Sequence, residues 1–152
     1  MKKLMMVALL LVAMIPKGKA QDIADVVKWD FYATKIAPKT YEVHMVPTVQ
    51  QPWHIYSQVS PKNGAVPTRF TFAVNPIAQL QGNVKEIGKV ASKYEQVFKL
   101  TVLFFEGKVD FVQVVKLRAD VKTTLSGTVK FMVCNDHECL PPQNIPFKIT
   151  VK

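Results

Sequence analysis

The chain has 152 residues and a formal net charge of +9, and 49% of its residues are hydrophobic. Only two of its twenty basic residues, Arg69 and Arg118, are arginines. Nucleic-acid recognition favours the planar fork of guanidinium, so the composition excludes nucleic acid as an expected partner. The two cysteines, Cys134 and Cys139, can pair only with each other or with a cysteine of another protein.

The first twenty residues are typical of a secretory signal. A basic start precedes the apolar run Leu4–Ile15, and the small residues Gly18 and Ala20 flank Lys19. We therefore predict cleavage after Ala20, with an uncleaved membrane anchor as the alternative. The remaining 132 residues, from Gln21 to Lys152, suffice for one domain, which we expect not to insert into a membrane.

Beyond residue 20, apolar and polar residues alternate with a period of two, and turn residues interrupt this alternation at short intervals. This pattern predicts an all-β protein, an antiparallel β-sandwich of the immunoglobulin-like type. The eight predicted strands are Lys28–Thr34, Tyr41–Met45, Trp53–Ser57, Phe70–Val74, Phe98–Phe104, Val109–Leu117, Thr128–Cys134 and Ile145–Val151.

Two connections in this pattern can be predicted separately. Asn75–Glu95 shows little alternation and contains several turn residues, so we expect a long connection there. Glu106–Lys108 predicts the turn of a hairpin between the fifth and sixth strands. Gln113 interrupts an apolar face of the sixth strand, and we expect neighbouring backbone groups to satisfy its buried amide.

The cysteine segment carries the candidate chemistry. Alternation along the incoming strand places Phe131 and Val133 on the core face, so Cys134 is expected on the opposite, accessible face. A disulfide between Cys134 and Cys139 would close a loop of six residues and stabilise the fold by roughly 2 kcal/mol. Because a domain of this size can fold without that contribution, the pair is a candidate for thiol–disulfide exchange.

Two other interpretations of the cysteine segment stay open. One is a purely structural disulfide in a non-catalytic immunoglobulin-like binding module, since cysteine pairs of secreted proteins are usually structural. The other is a zinc or copper site formed by Cys134, His137 and Cys139, with Asp136, Met132 or a distant histidine as a fourth ligand. We expect no metal, because this spacing lacks the second ligand pair of common zinc sites.

Several segments resemble a known family. The run Phe131–Pro142 looks like the active-site hairpin of the amino-terminal periplasmic domain of the thiol:disulfide interchange protein DsbD. Pro52–Ser57, Pro67–Thr68, and Phe105 followed by Val109–Gln113 also resemble the pattern of that family. The resemblance covers most of the chain beyond the signal, and the cysteine run is its most specific part.

This resemblance implies an immunoglobulin-like fold and a thiol–disulfide oxidoreductase in the bacterial periplasm, without a cofactor. Members of the family pass reducing equivalents to disulfide isomerases and to cytochrome c maturation factors. By resemblance, Cys139 forms mixed disulfides with partners and Cys134 resolves them. Because the sequence ends at Lys152 without membrane or thioredoxin-like domains, we expect the partners to be separate thioredoxin-like or membrane-embedded redox proteins.

Four further residues are predicted to surround the cysteines. The family covers its cysteines with a cap loop that carries an aromatic residue, and the counterpart here is Val84–Lys89, with Ile87 in place of the aromatic. His137, Trp53 and Tyr56 are the others, although Trp53 and Tyr56 also fit ordinary packing positions. The spacer between the cysteines is one residue shorter than in the best-known members.

The two remaining histidines are treated differently. His44 is predicted to be an ordinary residue of the second strand. For His54, the interpretation as an ordinary strand residue stays open.

Overall fold

The computed structural model describes residues 22–59, 61 and 63–152. The predicted signal and its cleavage after Ala20 lie outside the described residues. Within the described part, no helix is long and apolar enough to cross a bilayer.

The predicted all-β, immunoglobulin-like fold is confirmed. One short helix, α1 (Ile23–Val26), begins after Asp22, whose carboxylate accepts a hydrogen bond from the Ala24 N–H. The described chain then continues as eleven strands. They are β1 (Val27–Ala37), β2 (Thr40–Val49), β3 (His54–Tyr56), β4 (Arg69–Phe72), β5 (Ala78–Ile87), β6 (Ala91–Glu95), β7 (Leu100–Glu106), β8 (Asp110–Leu117), β9 (Thr123–Phe131), β10 (Val133–Cys134) and β11 (Gln143–Val151).

The strands form three antiparallel sheets. The first sheet has the order β1-β2-β8-β5, the second β10-β3-β7-β6 and the third β11-β9-β4. The second and third sheets follow one another where β9 leads into β10. A main core of buried side chains joins all three sheets, with Val43 and Phe111 from the first, Ile55 and Phe105 from the second and Phe147 from the third.

β10 and β3 of the second sheet are buried on both faces. Ile55, Phe105 and Val133 point into the main core. Their sequence neighbours point to the opposite face, as the alternation of a strand requires. Four of these neighbours, together with Val102 and Ala65, form a separate apolar group, which we call the outer cluster: Tyr56, Ala65, Val102, Phe104, Met132 and Cys134.

The prediction of one long connection over Asn75–Glu95 is wrong, because this segment contains β5 and β6. Both are edge strands with one neighbour each, so much of their surface is exposed and the apolar alternation is weak. A register shift between Gln81 and Lys85, beside Gly82 at a φ of +66°, further disrupts the pattern in β5.

The predicted hairpin between β7 and β8 is also wrong. The turn at Gly107 exists, with a φ of +66°, but β7 pairs with β3 and β6 whereas β8 pairs with β2 and β5. The turn therefore carries the chain from one sheet to the other. Gln113 behaves as predicted: it is buried, and its amide nitrogen donates to the carbonyls of Gln81 and Val114 at 3.0 and 2.9 Å.

Candidate active site

The cysteine pair lies where the chain leaves the second sheet. Cys134 ends β10 and forms a disulfide with Cys139, with 2.02 Å between the sulfurs and 4.0 Å between the Cα atoms. The backbone closes the loop in the same place, since the Leu140 N–H donates to the Val133 carbonyl at 3.0 Å. The disulfide therefore staples the two ends of a short hairpin.

Asn135 makes the sharp turn that the four-residue spacer needs. Its side-chain oxygen accepts hydrogen bonds from the backbone N–H groups of His137 and Glu138, both at 2.8 Å. Its own N–H donates to the Glu138 carbonyl at 2.9 Å. Asparagine is favoured in such turns because its side chain can replace a backbone acceptor. The spacer thus holds itself in shape by local contacts.

The two sulfurs have unequal access to solvent. Cys139 is exposed, whereas Cys134 is only 1% exposed. The prediction that Cys134 is accessible is therefore wrong. Its side chain does lie on the face opposite the main core, as predicted, but the outer cluster covers that face. Phe104 and Tyr56 pack there with Cys134.

A histidine lies directly beside the buried cysteine. In the antiparallel pairing of β10 with β3, Cys134 is opposite His54, and His54 is 2% exposed. Directly opposed residues of antiparallel strands project from the same face. The His54 ring also packs against Phe104 of the outer cluster, with 4.6 Å between the ring centroids. His54 thus belongs to the immediate surroundings of Cys134.

His54 begins a series of polar contacts with Tyr56, Glu95 and Lys93, which we call the polar chain. Its Nε2 lies 3.3 Å from the Tyr56 hydroxyl and 3.4 Å from Glu95 Oε1. The Tyr56 hydroxyl donates to the same carboxylate oxygen at 3.4 Å, and Lys93 Nζ contacts it at 3.1 Å. Lys93 and Glu95 lie two residues apart on β6, so both point towards the outer cluster.

Lys93 also connects β6 to the disulfide hairpin. Its ammonium donates to Asp136 Oδ1 at 2.9 Å, and Asp136 lies inside the spacer between the cysteines. The same ammonium lies 5.5 Å from the centre of the Phe104 ring. One lysine therefore contacts the spacer, the polar chain and an aromatic ring of the outer cluster.

These surroundings shift several ionisation equilibria. Burial, with the nearby positive charge of Lys93, lowers the pKa of His54 below 6.5, although Glu95, Asp136 and Glu106 act in the opposite direction. Burial and the Glu95 carboxylate raise the pKa of the Tyr56 hydroxyl. Burial alone would lower the pKa of Lys93, but its bonds to Asp136 and Glu95 raise it overall. The Lys93 bond lowers the pKa of Asp136.

An open cavity of about 270 Å³ lies next to the hairpin. It is too small for more than a few side-chain groups of a partner, but it reaches both the polar chain and the spacer. The residues that line it include Pro52, Trp53, His54, Lys93, Glu106 and Asp136.

The residues predicted to surround the cysteines lie in several different parts of the structure. Tyr56 lies in the outer cluster with Cys134, whereas Trp53 is 3% exposed and belongs to the main core. His137 is exposed on the spacer. Ile87 ends β5 in the first sheet and is 59% exposed.

The predicted cap segment Val84–Lys89 is largely strand rather than loop. Within it, Glu86 accepts hydrogen bonds from the Ser57 hydroxyl at 2.8 Å and from the Gln58 N–H at 2.6 Å. These contacts lie beyond Tyr56, whereas the disulfide lies at the His54 end of β3. That Ile87 belongs to the surroundings of the cysteines stays a prediction.

Lys93 and Glu95 were not predicted as part of the site. Their half-buried face of β6 could be read from alternation only if β6 were first recognised as a strand. The sequence offered Cys134, His137 and Cys139 as metal ligands. In residues 22–59, 61 and 63–152, no three or more His, Cys, Asp or Glu side chains are grouped so that they could hold a metal ion.

Comparison with known proteins supports the fold. The chain matches no protein-family model and no curated protein. It is similar in structure to the DsbD amino-terminal domain of Neisseria meningitidis, solved in the reduced form, with a TM-score of 0.58 and 11% identity. That similarity covers 86% of this chain and 90% of the other.

A second solved structure gives the same result. The amino-terminal periplasmic domain of ScsB from Proteus mirabilis has a TM-score of 0.57 and 10% identity, over 85% of this chain and 48% of that one. The molecule is thus an immunoglobulin-like domain with a disulfide-bearing hairpin. In particular, it has the fold of the DsbD amino-terminal domain, as the sequence resemblance predicted.

Proposed function

We propose that this chain is an extracytoplasmic thiol–disulfide oxidoreductase that exchanges electrons with other proteins through Cys134 and Cys139. The observation that carries the proposal is the unequal exposure of the two bonded sulfurs, with Cys139 exposed and Cys134 buried. A partner's sulfur can reach only Cys139, so Cys139 forms the mixed disulfide and Cys134 resolves it. The fold shared with the DsbD and ScsB domains supports this assignment.

The exchange needs no cofactor, because both electrons stay on sulfur. When a reduced partner is the donor, its thiolate attacks the Cys139 sulfur, and the bond between Cys139 and Cys134 breaks with Cys134 leaving as a thiolate. A second thiol of the partner then releases Cys139. The partner ends as a disulfide and this chain as a dithiol. The same steps run in reverse when an oxidised partner is the acceptor.

Location and partners follow from the signal and from the resemblance. The proposed cleavage after Ala20 delivers residues 21–152 to the periplasm, where disulfides persist. Thioredoxin-like and membrane-embedded redox proteins are the proposed partners, and cytochrome c biogenesis is a process that such a relay would serve. Ile87, His137, Trp53 and Tyr56 are retained as the residues proposed to surround the cysteines.

Trapping of mixed disulfides tests the proposal. The Cys134→Ser variant, expressed with its signal, lacks the resolving thiol and should accumulate adducts at Cys139 that appear on non-reducing gels and vanish with reductant. The matched control is Cys139→Ser, whose remaining thiol is buried and should give few or no adducts. Equal adducts from both variants would overturn the assigned roles, and no adducts from either would overturn the exchange function.

The competing proposal is a non-catalytic immunoglobulin-like binding module whose disulfide is only structural, and the burial of Cys134 in the outer cluster favours it. The reduction potential separates the two. Structural disulfides of secreted proteins usually have potentials below about −300 mV, whereas exchange-active ones are more oxidising. Equilibration of the purified protein with thiol buffers of known potential would measure it.

A further inference from the structure

The polar chain beside the disulfide is not required for sulfur exchange as such, and its position points to a more specific role. His54 lies directly opposite Cys134, and their Cβ atoms are expected about 5 Å apart on one face of the sheet. Both side chains are buried, at 2% and 1% exposure. A thiolate formed at Cys134 is therefore shielded from water, and its proton needs an acceptor inside the protein.

We propose that His54 is the proton acceptor and donor for Cys134 during exchange, an inference that rests on the proposed function. As Cys134 resolves a mixed disulfide at Cys139, the imidazole takes the thiol proton. The Cys134 sulfur then bonds to the Cys139 sulfur, and the partner's sulfur leaves with the electron pair of the broken bond. In the reverse direction Cys134 leaves as a thiolate and recovers the proton from His54.

The neighbours of His54 suit this task. Glu95 Oε1, at 3.4 Å from Nε2, would stabilise an imidazolium, and the Tyr56 hydroxyl at 3.3 Å links the ring to the same carboxylate. The positive charge of Lys93 opposes protonation of the ring. Glu106 on β7 and Asp136 on the spacer are the other charged groups near the ring, and both favour protonation. The ring is thus held between opposing charges.

His44 supplies a matched control within the same chain. Its Nδ1 contacts Asp110 Oδ2 at 2.8 Å, so it is also a partly buried histidine paired with a carboxylate. It lies in the first sheet, opposite Val112 of β8, and has no cysteine beside it. Substitution of His44 therefore tests the loss of a histidine–carboxylate contact without touching the proposed proton transfer.

The experiment follows the two halves of the exchange separately. The reduced full-length mature protein is mixed with an aromatic disulfide reagent whose released thiolate absorbs visible light. The first release reports attack by Cys139, and the second reports resolution by Cys134. We expect H54Q to slow the second release by about 100-fold at neutral pH, in the range of a lost general base, with little effect on the first. H44Q should change neither.

The pH profile excludes a merely structural role. In the unsubstituted protein the rate of the second release should show an acid limb, falling below the pKa of His54 and levelling off above it. In H54Q this break should be absent, and the slower rate should rise only with the thiolate fraction of Cys134. E95Q should move the limb to lower pH and K93M to higher pH, because the two charges act on His54 in opposite directions. These two variants also decide the question if H54Q does not fold.

Each outcome has a defined meaning. Equal rates and profiles for H54Q and the unsubstituted protein would overturn the inference and leave the proposed function standing. The same holds if E95Q and K93M shift the limb in one direction or not at all. If the unsubstituted protein gives no second release, the exchange function itself fails. Opposite shifts together with a slow second release in H54Q would support the inference.

Discussion

The two faces of the second sheet are formed by the same strands but carry different kinds of side chains. The inner face contributes Ile55, Phe105 and Val133 to the main core, where the described contacts are apolar. The outer face combines apolar residues such as Phe104 with Cys134 and with the polar chain that begins at His54. Alternation along each strand thus separates a face that holds the fold from a face that carries the proposed exchange site.

The difference shows how a small domain can bury one sulfur of a disulfide and expose the other. The outer cluster is large enough to exclude water from Cys134 but lies at the surface, so the hairpin beyond it keeps Cys139 exposed. Lys93 connects this cluster to the spacer through Asp136. If the two faces of the second sheet differ in this way, substitutions on the inner face reduce the free energy of unfolding. Substitutions on the outer face mainly change the rate of disulfide exchange.

The largest expected effect comes from the adjacent residues Phe104 and Phe105. Phe105 packs in the main core against Phe111, so Phe105→Ala should lower the free energy of unfolding by about 3–5 kcal/mol. Phe104→Ala should cost clearly less, because the smaller outer cluster can relax or admit water. Urea denaturation of the two variants measures the difference. Equal losses would contradict the division between the two faces.

Reduction of the disulfide should have the next largest effect. The bond joins residues five positions apart and constrains little of the unfolded chain, so reduction should lower the free energy of unfolding by about 2 kcal/mol. Urea denaturation with and without reductant gives this value. The double variant Cys134→Ala, Cys139→Ala is the control and should not respond to reductant. A loss above about 4 kcal/mol would favour a structural disulfide.

The sequence alone indicated the sandwich and the disulfide, because both depend on local patterns. Alternation placed Val43 and Phe111 in the core, and the spacing and export signal indicated that Cys134 pairs with Cys139. It could not show that the face carrying Cys134 is covered, since the cover comes from Phe104 and β6, which are distant in sequence.

The wrong prediction of strand pairing and the failure to predict Lys93 and Glu95 have the same physical origin. Strand partners depend on long-range pairing, so β7 and β8 looked like a hairpin although each belongs to a different sheet. The edge strand β6 shows weak alternation, which hid Lys93 and Glu95. The sequence could not decide whether His54 is an ordinary strand residue, because the answer depends on which residue lies opposite it across the sheet.

The pH dependence of stability should reveal the burial of His54. Its pKa in the folded chain is lowered by burial and by Lys93, so below pH 6.5 the unfolded chain binds this proton more readily. The contribution of the buried, neutral His54 to the free energy of unfolding is fully present above pH 6.5. It is lost as the pH falls towards the pKa of His54 in the folded chain. We expect the unsubstituted protein to lose stability over this window and H54Q to lose less, as measured by urea midpoints.

The smallest effect is expected from the bond between Lys93 and Asp136, because Asp136 is exposed and water screens the pair. The pKa of Asp136 is lowered in the folded chain, so its contribution is present above the ordinary value of 3.8 and disappears as the pH falls below it. D136N should therefore be slightly less stable than the unsubstituted protein at pH 7 and equally stable at the acid end of the range. Thermal unfolding at both pH values measures this. D120N is the control, and a difference that persists in acid would mean that Asp136 acts through the shape of the spacer and not through its charge.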